Sequence, residues 1–285
     1  MIERLFYPII FILLWSSGVF FVANGLHYNT PAVFLMLRFF IAAIIFLTIL
    51  LYKKIPFQIS FSNFILLLIA GIFIQFLYLL FFFKSLTLEV SPGLLMIILG
   101  VQPIFTAILT RNNLRFIQWA GLILGLIGLI LVVIKYIYQG KLILLGIIYA
   151  FLAMLCITIG TILQKRYGTK VDITLSLLLQ NSVSFLLSLC LVYEQQGFQS
   201  IQLNLSFLIS LLWMSIVISI FANYLLYFLL RKGKIISVAS FFYCIPPVSV
   251  LLDKLILGHT LPSIAILGML LIVTGLLFLH LTSSS

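Results

Sequence analysis

Ten apolar runs, separated by short polar links, fill the chain from end to end. They lie near 5–26, 32–52, 63–84, 92–110, 116–135, 142–163, 173–193, 206–230, 236–257 and 261–281. Most are long enough to cross a hydrocarbon core about 30 Å thick, which takes about 20 residues of helix. The runs are continuous rather than alternating. A lipid-facing barrel needs a period of two, so the pattern predicts helices and excludes strands. The first run is too long for the core of a signal peptide and lacks a small-x-small cleavage site, so it reads as a retained first helix.

Composition narrows the class further. Of 285 residues, 64% are hydrophobic and only 7% charged, against about 25% charged in ordinary soluble domains. Such a chain cannot cover a water-soluble globule with polar groups, so a soluble enzyme and a disordered chain are both excluded. The formal net charge of +11 does not point to nucleic acid, because the basic residues stand at the ends of apolar runs, as membrane anchors do. Cys156, Cys190 and Cys244 all lie inside runs. They have neither metal-ligand spacing nor the placement of a disulfide framework.

The Lys and Arg residues also set the orientation. With the N-terminus cytoplasmic, the inner side carries Arg4, Lys53, Lys54, Arg111, Arg115, Lys165, Arg166, Lys170, Arg231, Lys232 and Lys234, while the outer side carries Lys84, Lys135, Lys141 and Lys254. The excess of positive charge belongs inside, which places both termini in the cytoplasm.

The two halves resemble each other. Trp15-Ser16-Ser17-Gly18 aligns with Ile157-Thr158-Ile159-Gly160, and Arg38 with Gln180, both at an offset of 142. Tyr78-Leu79-Leu80 aligns with Tyr224-Leu225-Leu226, and Pro103 with Pro246. Gly121 and Gly128 align with Gly268 and Gly275 at an offset of 147. A slow drift in offset is what small loop insertions produce in a duplicated unit. Each unit holds five helices. Five is odd, so the second copy must be inverted relative to the first, an arrangement typical of secondary transporters. The expected fold is an all-α membrane protein of ten transmembrane helices in two inverted five-helix repeats, 1–138 and 139–285.

Several segments carry a family likeness: Gln75-Phe76-Leu77-Tyr78-Leu79-Leu80, Gly100-Val101-Gln102-Pro103-Ile104-Phe105-Thr106-Ala107, Gln118-Trp119-Ala120-Gly121, and Ala239-Ser240-Phe241-Phe242-Tyr243-Cys244-Ile245-Pro246-Pro247-Val248. In this order they make the chain resemble the drug/metabolite transporter superfamily, in its ten-helix EamA-type branch. The resemblance implies a basket of two inverted repeats around a central cavity, and transport of small organic solutes, often outward. Three places depart from the family pattern, one of them the stretch after Pro103, which is about four residues short. A Gly-Glu pair usual after the proline of the ninth run is Gly258-His259 here, and Asp253-Lys254 replaces small or aromatic residues.

Ionisable groups inside the membrane are costly, so each is a functional candidate. Arg38 sits seven residues into the second run, about 9 Å from its outer end, and Asp253 about 6 Å deep in the ninth, at 1.5 Å per residue. The two would pair or share an outer vestibule; otherwise Arg38 caps carbonyls or snorkels outward. Pro103, Pro246 and Pro247 fall mid-run, where proline breaks the helical ladder; the matched pair Pro103 and Pro246 are candidate hinges. Trp15, Gln75, Tyr78, Gln102, Asn223, Tyr224, Tyr227 and Tyr243 are the polar and aromatic groups that could line a shared cavity, with packing or interhelical hydrogen bonding as the other reading. The glycines of the fifth and tenth runs read as close helix packing within each repeat.

The expected function is a secondary transporter in the inner membrane of a bacterium, exporting amino acids or related metabolites by alternating access. A multidrug or quaternary-amine carrier is the alternative within the fold. No phosphate-binding Gly-x-x-x-x-Gly-Lys-Ser/Thr loop is present, so ATP does not drive it directly. The partners are the small-molecule substrate and the lipid bilayer. Protons could couple through Asp253, with His259 a weaker candidate, or no ion is used. The oligomeric state expected is monomer or weak dimer. No cofactor and no metal are called for. An intramembrane enzyme would need convergent nucleophile, base or metal sets in the runs, and a channel would need charge rings or a carbonyl filter; the sequence offers neither.

Overall fold

A computed structural model describes residues 2–111, 114–137, 143–257 and 263–281. The described residues are helical or in short links, with no strand among them. Ten spans follow one another. Span 1 is Ile2–Leu26, span 2 Pro31–Tyr52, span 3 Phe61–Thr87, span 5 Phe116–Ile137. Span 4 is broken into Pro92–Gly100 and Gln102–Leu109. Span 6 is Leu144–Tyr167, span 7 Ile173–Glu194, span 8 Leu205–Lys232, and span 10 Ser263–Leu281. Span 9 is Ile235–Ser240, a tight turn Phe241–Cys244, and Ile245–Leu257. Eight of these helices are long and apolar enough to cross a membrane, and Gly93–Leu109 and Ser263–Leu279 are shorter apolar helices.

The links start spans in a repeated way. Thr30 and Ser91 each accept a hydrogen bond from the backbone three residues on, and each is followed by proline at the first helical position. A hydroxyl satisfies one of the orphan amides of a helix start, and proline has no amide to satisfy. Asp172 begins span 7 by accepting from the Thr174 and Leu175 amides at 2.8 and 3.3 Å, and Asn204 begins span 8 by accepting from Phe207 at 2.8 Å.

Packing shows how the repeats relate. Spans 5 and 10 occupy the same place in the two copies, and they cross so closely that a methyl group on Gly121 would stand 2.6 Å from the Gly275 carbonyl oxygen. One on Gly128 would stand 2.5 Å from that of Gly268. The crossing is antiparallel. Adding the repeat offset to Gly121 gives Gly268, and subtracting it from Gly275 gives Gly128, so each contact is the image of the other. Only a two-fold axis perpendicular to the helices does this, and the copies are therefore inverted. Spans 2 and 7 repeat the relation: Val33 clusters with Val192, Leu50 with Leu175, and Phe40 meets Phe185 with ring centroids 5.2 Å apart. Span 1 likewise runs against span 8, with Asn24 donating to Ser210 at 2.7 Å and Trp213 to Ser17 at 3.0 Å. Its image is span 3 against span 6, where Ser85 donates to the Gly146 carbonyl at 2.9 Å. The expectation that the glycines pack within each repeat is corrected here. They join span 5 of one repeat to span 10 of the other, because small residues let the equivalent backbones meet at the symmetry axis.

Four helices depart from regular α geometry, again in matched pairs. Spans 3 and 8 widen into π-helix at Ile72–Leu77 and Trp213–Ala222. Spans 4 and 9 break at Val101 and at Phe241–Cys244, just ahead of Pro103 and Pro246. All four irregularities gather at mid-bundle, where π segments and broken helices accompany functional sites.

Candidate functional site

A cavity of about 800 Å³, its mouth included, lies between the repeats. Its polar wall holds Arg38 from span 2, Gln75 and Tyr78 from span 3, and Asn223 from span 8. Its apolar wall includes Trp15, Gly18, Phe82, Met214, Ile218, Phe242 and Pro246. The π segments supply Ile74, Gln75, Met214 and Ile218, so the helix widening places side chains here. Trp15, Phe11 and Phe242 pack as an aromatic cluster with centroids 5.2–5.7 Å apart, Phe242 standing edge-to-face with the other two.

Arg38 is 1% exposed, and its Nε donates to the Ser219 hydroxyl at 2.7 Å. It neither snorkels to the bundle end nor caps a carbonyl with that nitrogen, and Nη1 has no hydrogen-bond partner. Gln75 accepts from Asn223 at 3.3 Å, while its own Nε2 is buried and unpartnered. Ser219 in turn donates to the Met214 carbonyl at 3.1 Å, five residues back, a contact suited to the wide turn of the π segment.

The remaining candidates take other places. Gln102 lies beside Pro103 on span 4, at a closed seam with Thr161, Leu230, Ile235, Ala239 and Phe242 that has no room for a water molecule; its Nε2 is also unpartnered. Pro103 is buried at the start of the second half of span 4. Tyr227 is buried behind the cavity and donates to Gln180, which in turn donates to Gln164 at 2.7 Å. Tyr243 packs over Gly125 and donates to the Leu122 carbonyl at 3.1 Å, tying span 9 to span 5. Tyr224 is 41% exposed on the bundle's outer surface. The Asp253 side chain and all of His259 lie outside the described residues, so the pairing of Arg38 with Asp253 is without a geometry.

Sequence reasoning missed the apolar lining, Gly18, Met214, Ile218 and Phe242, and missed Ser219 as the partner of Arg38. The repeat offset would have pointed to Gly18, which matches Gly160. The others have no signal against an apolar background.

The Tyr227–Gln180–Gln164 chain holds spans 8, 7 and 6 together. Tyr227→Phe is expected to cost about 1 kcal/mol, because it leaves the Gln180 oxygen without its donor. Thermal unfolding of the purified protein in detergent checks this.

The closed seam is in part the image of the cavity: the repeat offset carries Met96 and Leu99 of the cavity onto Ala239 and Phe242 of the seam, and Ile245 corresponds to Gln102. The cavity lies toward the ends that carry links 27–30 and 88–91, through Val22, Phe83 and Met96. The seam lies toward links 168–172 and 233–234, through Thr161, Leu230 and Ile235. A model of the EamA-like transporter family matches residues 5–134 and again 144–281.

The chain belongs to the EamA-like transporter family.

It carries two EamA repeats, and it is a multi-pass membrane protein of bacterial type. An uncharacterized transporter of Bacillus subtilis, YvbV, is 23% identical over 96% of this chain and 90% of its own length. A protein of Salmonella typhimurium named a probable amino-acid metabolite efflux pump is 25% identical over 95% of this chain and 92% of its own. Its Escherichia coli namesake is 24% identical over 93% and 90%. A solved crystal structure superposes with a TM-score of 0.79 at 18% identity, covering 98% of both chains, a likeness of fold. EamA membership makes the chain a transporter.

Proposed function

We propose that this EamA transporter is a secondary carrier that exports amino acids or related small organic metabolites by alternating access. One observation carries the reading: a cavity between the repeats, about 800 Å³ with its mouth included, lies toward one end of the bundle, while the partly equivalent seam toward the other end is closed. By the Lys/Arg orientation the cavity faces outward. Exchanging the conformations of the two repeats, 1–138 and 139–285, would close it and open the inner seam, which is how inverted repeats alternate access. The breaks at Val101 and Phe241–Cys244 lie where such a motion would bend spans 4 and 9. The names of the Salmonella and Escherichia relatives favour amino-acid metabolites and outward transport. Asp253 remains the proposed site of proton coupling.

The test is counterflow in proteoliposomes without ATP. Vesicles loaded with an unlabelled amino acid should transiently concentrate the labelled one, with saturation. No saturable counterflow with any of the common amino acids or their 2-oxo acids would sink the reading; linear flux would indicate a channel, and product formation an enzyme.

Gly18→Phe tests the cavity itself. A methyl group at Gly18 meets the Ile218 side chain at 3.4 Å and the Met214 sulfur at 3.6 Å, so a larger group would crowd flexible side chains of the cavity wall and not backbone. Counterflow is expected to fall by more than about tenfold while the protein still folds with a modestly lowered unfolding temperature, since the ring displaces side-chain tips rather than backbone. Full transport by a folded Gly18→Phe protein would place the pathway elsewhere.

A further inference from the structure

The carrier reading leaves the solute open, and the polar wall of the cavity narrows it. Arg38 is the one charged side chain among the described residues that line it. The described carboxylates Glu89, Asp172 and Glu194 stand in links or at span ends, far from mid-bundle. A buried guanidinium with no opposite charge is costly. Here it is left half-satisfied, with Nε on Ser219 and Nη1 without a partner. Close by on the same wall, the Gln75 oxygen is engaged by Asn223, while its Nε2 makes no hydrogen bond of ordinary geometry and has the Tyr227 side chain as its neighbour. Tyr78 is near enough to interact with the Arg38 charge. The wall therefore offers an unused donor and a positive charge, and no acidic group among its described members.

From this we infer that the cavity takes a solute with a carboxylate on an apolar body. The carboxylate would be held by Arg38 and Gln75, and the body would rest against Trp15, Phe82 and Phe242. The inference rests on the carrier reading. Guanidinium and carboxylate match in geometry and form charge-assisted hydrogen bonds. A flat apolar body meets the aromatic wall. An ammonium group on the solute gains no opposite charge from the described lining, so an amino group is tolerated rather than required. Both donor atoms are shielded from solvent in this state, and the pairing forms as the repeats close on the solute. A quaternary amine would instead bring a second positive charge beside Arg38.

A matched series of small probes tests this on the purified full-length protein, read as the shift in thermal unfolding with probe concentration. The probes are 3-phenylpropanoate, phenylalanine, 4-methylpentanoate, 3-phenylpropan-1-ol and phenethylamine. The three carboxylates are expected to bind at least about tenfold more tightly than the alcohol or the amine. Arg38→Gln should bring the ratio of phenylpropanoate to phenylpropanol within about twofold, and Arg38→Lys should restore part of it. Equal or tighter binding of the amine, no response to any carboxylate, or a preference that survives Arg38→Gln overturns the inference. If Arg38→Gln does not fold, the wild-type series still decides, and Gln75→Leu should weaken carboxylate binding without affecting the alcohol. Saturable counterflow of phenethylamine with no carboxylate response would sink the anion subsite and leave the carrier standing. A carboxylate response without counterflow would do the reverse.

Discussion

Arg38→Met is expected to raise the melting temperature of the purified protein while lowering solute flux by at least about tenfold. Stability and activity part company here because Arg38 contributes little to the fold that a methionine would not. The side chain is 1% exposed and makes one hydrogen bond, to Ser219, with Nη1 unpartnered. A buried charge with poor pairing is often replaced by an apolar residue of like volume at a gain of about 1–4 kcal/mol. Methionine is unbranched and fills irregular space well. Ser219 is not orphaned by the change, since its hydroxyl already donates to the Met214 carbonyl at 3.1 Å. What disappears is the positive charge at the cavity wall. Thermal unfolding in detergent and counterflow of a carboxylate solute in proteoliposomes measure the two effects on one preparation. A variant that is less stable than the wild type would make Arg38 a structural latch between spans 2 and 8. One that transports as well as the wild type would remove it from the pathway.

The ten spans were legible because lipid and protein interior both demand continuous apolar helix, and the links interrupt it with Thr30-Pro31, Ser91-Pro92, Asp172 and Asn204. The inversion was legible from parity alone. Arg38, Gln75, Tyr78 and Asn223 stood out because a polar group in an apolar run needs a reason, and they share one wall. The same logic failed to separate Tyr224 from Tyr227. Both are aromatic residues of span 8, yet one is 41% exposed and the other 2%. A helix that is apolar all round has no amphipathic contrast to say which face meets lipid. For the same reason Met214, Ile218 and Phe242 carried no mark. The π segments of spans 3 and 8 have no sequence signature either. They follow from tertiary packing, as where a methyl group on Gly160 would collide with the Ile74 backbone nitrogen at 2.7 Å. The glycine spacing in spans 5 and 10 announced close contact but not with which helix.

That contact yields the second large effect. Gly128→Val is expected to lower the folded yield severely, and Gly128→Ala to destabilise by about 1–3 kcal/mol. At most positions an added methyl can push aside the tip of a flexible side chain. At Gly128 it would meet the Gly268 carbonyl oxygen at 2.5 Å and the Ile272 backbone nitrogen at 2.9 Å, neither of which yields unless a whole helix moves. A methyl on its contact partner Gly268 meets the Gly128 oxygen at 2.5 Å and the Val132 nitrogen at 2.9 Å. Both changes push apart the same two backbones at the same crossing. The pair Gly128→Ala with Gly268→Ala should therefore cost less than the sum of its parts, since the second methyl enters space the first has opened. Gly18→Ala supplies the comparison, its methyl meeting only the side chains of Ile218 and Met214, at 3.4 Å or more. Unfolding of the three single variants and the double measures the coupling. Should Gly128→Ala cost no more than Gly18→Ala, or the double be strictly additive, spans 5 and 10 do not hold the repeats together at the axis.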